Sequence, residues 1–398
     1  MRSLNILQIV PSLAPETGGS TKAAVALGKA FRDLGHKVVL YTTSWPDFES
    51  GGKSFFRREE EAGYETVFFP VQRNPFFHNL PYSPALVQAV FNHCREFDIV
   101  HNYSLWNPVA TFSLRALRQT RTVYCLSPLG MLDPVVLHHN RWKKIPWRFL
   151  WERANIENAA LIHFTASLEE ERARSYWKLN RTVVVPHTVD LENWKSLPDR
   201  SALESLFPQV RGHEVILFVG RINWVKNLDL LLEALVEVRQ ERQEAMMVFV
   251  GPDNEGYQSV LEKQAHELGV EDHILFTGML QGDSLKSAYA RADAFTLVSQ
   301  KENFGFTAAE ALASGIPVIL SREVGVGGDW PACDAVFRVE SRSDAIASAL
   351  IRALKRSASL GLPDPDARSL AKTVFNNSEG SRLAAAFDAI LSNHSLNP

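Results

Sequence analysis

Residues 215–251 read VILFVGRINWVKNLDLLLEALVEVRQERQEAMMVFVG. An apolar run ending in glycine is followed by a polar loop, a helix-like stretch over 227–240 and a second apolar run that again ends in glycine. That order is the signature of a strand, a crossover helix and a parallel strand. The pattern continues with a helical segment at Tyr257–Leu268, the run ILFTG at Ile274–Gly278, and short strands at Ala294–Leu297, 318–320 and Val336–Val339, so this half predicts a parallel sheet with helices on its faces. The amino-terminal half opens with the same grammar: an apolar run at 4–10, a loop rich in Pro, Gly and Ser, an amphipathic stretch at about 20–34 stopped by Gly35, and a β-branched run at 38–42. The strand TVVVP then leads into a polar connector at 185–198, the expected hinge.

A chain of 398 residues exceeds one comfortable core, and the reading is therefore α/β with two Rossmann-like parallel-sheet domains, 1–190 and 191–378, followed by a C-terminal helix and tail at 379–398. Open sheets of this kind bind ligands outside the carboxyl ends of their strands, and two of them facing each other put their loops into one cleft. Apolar residues at 45% and charged residues at 22% exclude a disordered chain, and a formal charge of −3 without long runs of one sign excludes a general nucleic-acid binder. Cys94, Cys125 and Cys333 are too few and too scattered for a disulfide framework or a CxxC site. The apolar start is too short for a signal sequence and no segment has the length of a membrane span, which predicts a cytoplasmic protein with peripheral contact at a membrane surface left open.

In the loop after VILFVG, Arg221 and Lys226 stand just before a helix that Asn227 is positioned to cap; two cations beside backbone N–H groups suit a diphosphate, although solvated Arg and Lys are also ordinary in such loops. The stretch KENFGFTAAEALASGIPVI carries Glu302 and Glu310 eight positions apart. Thr307 and Glu310 match a capping box, which gives Glu310 a purely structural alternative, whereas Glu302 precedes the helix and is expected to face the cleft, where a carboxylate suits sugar or ribose hydroxyls. Gly18 and Gly19 lie at the mouth of the first helix, where glycine permits close approach to a phosphate or merely forms a turn; the full GxGxxG fingerprint is absent. His101 falls at a strand end and is read as either structural or functional. The segment HHNRWKKIPWRFLWERAN at 138–155 interleaves Arg141, Lys143, Lys144 and Arg148 with Trp142, Trp147 and Trp151; it suits an anionic membrane surface, a phosphate-bearing acceptor or a packed aromatic helix. Asp364-Pro365-Asp366 looks like a metal-binding DxD but lies in a polar connector, and no metal site is expected.

Together, FVGRINWVKNLDLLLEAL, GMLQGDSLKSAYARADAF and KENFGFTAAEALASGIPVI resemble, in that order, the donor-binding half of retaining glycosyltransferase family 4, of GT-B fold; GGST, DIVHNYSLWNP and SPLGMLDP extend the resemblance into the first half. The resemblance implies that Arg221 and Lys226 of the GR-x4-K pattern grip the donor diphosphate. It implies that Glu302 faces the donor sugar and Glu310 the ribose, that backbone N–H groups of Phe304, Gly305 and Phe306 line the sugar, and that Gly18 and Gly19 approach the phosphates from the other domain. The expected activity is retaining, metal-independent transfer from a nucleotide-diphosphate sugar to a glycan or lipid-linked acceptor in surface polysaccharide biosynthesis, with no cofactor beyond the donor substrate. The alternatives are a sugar-nucleotide-binding protein without transferase activity, or another GT-B enzyme such as an epimerase. Two departures stand out: relatives carry HxH where this chain has His101-Asn102-Tyr103, and Asn-Gly where it has His187-Thr188. Tyr103 is therefore expected to take the place of the missing His as a hydroxyl contact near the acceptor, with His101 supporting it.

Overall fold

A computed structural model describes residues 2–14, 19–45, 57–59, 63–72, 74, 77, 80–134, 136 and 141–395. The chain forms two compact units, one of residues 1–188 with 377–398 and one of residues 189–376. In the first unit the strands are β1 (Asn5–Ile9), β2 (Lys37–Thr43), β3 (Arg57–Glu59), β4 (Glu65–Phe69), β5 (Ile99–Tyr103), β6 (Tyr124–Ser127), β7 (Leu161–Phe164) and β8 (Thr182–Val184). They form one sheet in the order β3-β4-β2-β1-β5-β6-β7-β8, parallel throughout except for β3 against β4. In the second unit β9 (Glu214–Val219), β10 (Ala245–Val250), β11 (Ile274–Gly278), β12 (Ala294–Leu297), β13 (Val318–Ser321) and β14 (Val336–Val339) are all parallel, in the order β11-β10-β9-β12-β13-β14. The strand order reverses between β1 and β5 in one sheet and between β9 and β12 in the other, which marks the loops after these four strands as the ligand-binding ends.

The inner strands of the second sheet are buried on both faces, and every residue of β10 and β12 is buried, as helix-covered parallel strands require. The helix Leu228–Glu241 turns Leu228, Leu231, Leu232, Leu235 and Val238 into that core at helical spacing. The twin glycines that end β9 and β10 have a steric reason. A Cβ on Gly251 would fall 1.9 Å from the carbonyl oxygen of Gly220, so the loop after β10 lies directly against the loop after β9. Gly251→Ala must push these two loops apart; it is expected to cost about 1–3 kcal/mol of unit stability, and a thermal midpoint within a degree of the parent would refute this.

The last helix, Glu379–Ser395, whose partner the sequence leaves open, returns to the first unit and packs on the helix Gly19–Asp33. The approach is close because a Cβ on Gly380 would meet the Ala30 methyl at 2.8 Å, and Phe387 reaches both Phe31 and the ring of His101, at 5.7 and 5.6 Å between centroids.

Candidate functional site

In the second unit the reversal point brings the two quoted motifs together. After Gly220 the chain exposes Arg221, buries Ile222 and Asn223, makes a short 3-10 turn at Trp224–Lys226 and enters the helix at Leu228. Asn227 does not cap that helix as expected. It sits in the left-handed region at φ 52° and its amide donates instead to the carbonyl of Val298, 2.9 Å away, while the Gln300 N–H bonds the Val225 carbonyl at 2.8 Å. These two bonds tie the loop after β9 to the loop after β12. Lys226 Nζ thereby reaches the Glu302 carboxylate, and both side chains are largely withdrawn from solvent, 14% and 22% exposed. Glu302 is held from the other side, since it bridges to Val324 and its carbonyl accepts from the Gly325 N–H at 3.0 Å. Among the described residues Arg221 forms no ion pair, and its guanidinium is left open to an anionic ligand.

The chain then turns through Gly305 at φ 90°, with Phe304 buried and packed on Phe306 at 4.8 Å, and the helix Phe306–Ser314 begins. A Cβ at Gly305 would lie 3.1 Å from Val324, so backbone conformation and space both demand glycine there. The capping box is not formed: Gly305 occupies the N-cap, Thr307 is already inside the helix, and Glu310 points inward, buried, accepting a hydrogen bond from the Tyr289 phenol at 2.9 Å. Burial, with this carboxylate next to it, drives the Tyr289 phenol well above its ordinary range, so it remains a donor and orients Glu310. Tyr289 was not legible as a site neighbour, because nothing in its local pattern distinguishes it from a core tyrosine.

The two carboxylates thus differ in surroundings, and their variants separate. Glu302→Gln removes a negative charge beside Lys226, so it is expected to leave nucleoside-diphosphate binding unchanged or tighten it a few-fold while lowering transfer at least tenfold. Glu310→Gln is expected to weaken nucleoside-diphosphate binding about tenfold. Calorimetric titration and initial rates on both variants check this, and normal values in both would make the carboxylates structural.

In the first unit, Gly19 opens the helix Gly19–Asp33 and is exposed; Gly18 lies outside the described residues. His101 and Tyr103 alternate along β5 and both point into the core. Tyr103 has no exposed surface and its hydroxyl accepts from the Gln8 amide at 2.8 Å, which corrects the expectation of a hydroxyl contact near an acceptor. The reason is the central place of β5 in a parallel sheet, where all five of its residues are buried. His101 is likewise buried, its ring tilted against that of Tyr103 with centroids 4.2 Å apart, and it supports the sheet rather than a ligand. His187, read as hinge-turn chemistry, is also buried, with its ring 6.5 Å from that of His163.

The loops beyond β5 and β6 carry the strain instead. Ser104, Trp106 and Leu129 all hold positive φ, at 75°, 60° and 53°, a costly conformation for residues with side chains. Two buried carboxylates keep them there. Glu152 accepts from the Trp106 N–H at 3.0 Å, and from Thr111, Asn155 and Trp147; Glu169 accepts from the Gly130 N–H at 2.6 Å and from the backbone and hydroxyl of Thr165 at 2.9 and 3.0 Å. Neither glutamate was singled out from the sequence, where each is one more acidic residue of a helix. Asp364, by contrast, caps the helix Pro365–Val374 and pairs with Arg356, as does Asp366, which accounts for the DxD-like triplet. No cluster of three or more His, Cys, Asp and Glu side chains fit to hold a metal occurs among the described residues, and none of their helices is long and apolar enough to cross a membrane.

Two family models match the two units in turn: glycosyl transferase 4-like domain over residues 18–188, and glycosyl transferases group 1 over residues 207–360. The chain is 25% identical over 366 residues to a GDP-mannose-dependent alpha-(1-6)-phosphatidylinositol monomannoside mannosyltransferase of Mycobacterium tuberculosis, covering 87% of this chain and 89% of that one. It is 28% identical over 307 residues to the sulfoquinovosyl transferase SQD2 of Arabidopsis thaliana, covering 74% of this chain and 55% of that protein. Among solved structures, Anabaena HepE in complex with UDP and glucose superposes with a TM-score of 0.74 at 18% identity over 97% of this chain and 99% of that one. The sucrose-phosphate synthase of Thermosynechococcus elongatus superposes at 0.75, with 20% identity over 98% and 100%. With both halves matched and the two parallel sheets in place, the chain belongs to the GT-B glycosyltransferases of the family-4-like kind.

Proposed function

We propose that this glycosyltransferase takes its sugar from a nucleoside-diphosphate donor bound at the β9/β12 reversal point, without a metal, and transfers it with retention to a glycan or lipid-linked acceptor of surface polysaccharide assembly in the cytoplasm, in peripheral contact with the inner face of a membrane. The observation that carries this is the loop pair itself: an open Arg221, and a Lys226 held on Glu302, stand where an α/β sheet receives phosphates. The solved complex of HepE with UDP and glucose supports the donor class.

Cleaving the bond between the anomeric carbon and the diphosphate places negative charge on the leaving oxygen. Arg221 and Lys226 offset that charge, and Glu302, oriented by the same lysine, stands where it can hold sugar hydroxyls. The acceptor hydroxyl attacks from the face the diphosphate leaves and passes its proton to a phosphate oxygen, so no side-chain nucleophile is required. Incubation with a panel of UDP- and GDP-sugars and acceptor, read by NMR of the product's anomeric centre, tests the reading. Retained configuration and undiminished rate in excess EDTA are expected; inversion, or loss of activity restored only by a divalent cation, would overturn it.

A further inference from the structure

The carboxylate of Glu310 belongs to a packed set of aromatic rings in which Arg221 and Lys226 take no part. Glu310 lies one turn inside the helix Phe306–Ser314 and is buried. A glutamate side chain has three rotatable bonds, and rotation of its terminal carboxylate is soft. Burial keeps water from such a group without fixing which way its two oxygens face.

Tyr289 fixes them. Its phenol oxygen lies 2.9 Å from Glu310 Oε2 and 3.3 Å from the carbonyl oxygen of Thr307. A carboxylate and a carbonyl only accept, so the single phenolic hydrogen is donated, and the nearer carboxylate oxygen is the stronger acceptor. Burial beside that carboxylate keeps the phenol protonated.

The phenol is itself held in place. Tyr289, on the helix Gly282–Arg291, is buried with its ring stacked on Phe295 of β12 at 6.1 Å and met edge-on by Trp194 at 4.9 Å. Trp194 is buried on the short helix Glu192–Lys195, which also packs against the helix that carries Glu310. Three segments distant in sequence thus converge on one hydroxyl. A phenylalanine would fill the same space against the same rings and leave no polar atom to satisfy, so packing does not account for the hydroxyl. The carboxylate does.

We propose that Tyr289 is a positioning residue for donor selectivity: acting through Glu310, it lets the site tell a ribonucleoside diphosphate from one that lacks the ribose hydroxyls. The proposal rests on Glu310 as the ribose contact and deepens that reading. A carboxylate already held by one donor presents its oxygens to a vicinal diol in a fixed plane, and binding does not have to order it. Without the phenol, the carboxylate loses that hold and meets the diol in other orientations.

Calorimetric titration of the full chain with UDP and GDP, and with the 2′,3′-dideoxy form of each, tests the proposal. The parent is expected to bind the ribonucleotide about tenfold or more tightly than its dideoxy counterpart, since a site built to bond hydroxyls is left unpaired by their loss. Tyr289→Phe is expected to cut that ratio to about threefold or less, weakening the ribonucleotide and sparing the dideoxy nucleotide. Added to Glu310→Gln, it is expected to lower the ratio no further, because the phenol acts only through that carboxylate. Ser314→Ala is the structural control: it deletes a buried hydroxyl bonded to the backbone carbonyl of Glu310 at 2.8 Å and is expected to keep the parent ratio. An undiminished ratio in Tyr289→Phe, a further fall when it is added to Glu310→Gln, or an equal loss in Ser314→Ala would overturn the inference while leaving Glu310 as the ribose contact. A parent that binds both nucleotides equally would overturn the ribose contact itself, and the inference with it.

Discussion

Arg221→Ala and Lys226→Ala are each expected to lower kcat/KM on the order of 10²-fold, the size seen when one preorganised charge partner of a developing anion is removed. The two substitutions have different side effects, and the difference can be used. Arg221 is exposed and forms no ion pair among the described residues, so its loss leaves the fold intact and any rate effect is chemical. Lys226 neutralises the half-buried Glu302, and its loss strands a carboxylate. A double-mutant cycle separates the roles of Lys226. If the lysine served only to neutralise Glu302, adding Glu302→Gln to Lys226→Ala would recover most of the activity. If it binds the leaving diphosphate, the double variant stays at least as impaired as Lys226→Ala. Near-parent rates in Arg221→Ala and in Lys226→Ala, measured at saturating and limiting donor, would remove the clamp altogether.

How much of this was legible in the sequence depends on whether a feature is local. The strands near Ala294–Leu297 and Val336–Val339 and the helix around Tyr257–Leu268 were readable, because each is an apolar or amphipathic run bounded by turn residues. The short strands β4, β6 and β7 were not read from the sequence. Arg221, Lys226 and Glu302 were found from residue type and position after a strand, yet the contact between Lys226 and Glu302 was not. Their separation of 76 residues is closed only by the β9/β12 pairing and by Asn227, whose amide serves the Val298 carbonyl rather than its own helix. The capping-box reading of Thr307 and Glu310 failed because Gly305, at φ 90°, starts the helix earlier and turns Glu310 inward. Tyr103 misled because its type suggested a hydroxyl contact, whereas all five residues of β5 are buried inside the unit.

The residues that misled supply the last expectation, a loss of stability of the first unit in mild acid. His163 Nε2 lies 2.7 Å from the carbonyl of Val185, which can only accept, so that nitrogen carries the proton and Nδ1 must accept from Ser127 Oγ, at 2.8 Å. The Ser127 oxygen in turn accepts from His101 Nε2 at 2.7 Å, and His101 Nδ1 is left bare with no partner. The chain is built for neutral rings. Burial pushes His101 far below the ordinary histidine range, brings His163 down to about 4, with Arg382 adding to the effect, and brings His187 down to about 3, with His163 adding to it. The buried groups beside them, Tyr103 and Cys125, are pushed the other way and stay neutral, so they offer no compensating charge. In the unfolded chain each imidazole protonates near pH 6.5, and below that pH the unfolded state binds more protons than the folded one. The stabilisation is therefore complete above pH 6.5 and is lost as pH falls, by up to about 1.4 kcal/mol per histidine between pH 7.5 and 5.5, or about 4 kcal/mol for the three together. The second unit has no buried histidine among its described residues and acts as the internal control. Hydrogen exchange of β5–β7 amides, corrected for the intrinsic effect of pH, should show protection falling in the first unit while β9, β10 and β12 hold theirs. Equal protection of both units at pH 7.5 and 5.5 would mean that the rings are already charged in the folded state, and the Ser127 relay, with the tautomers assigned to it, would have to be abandoned.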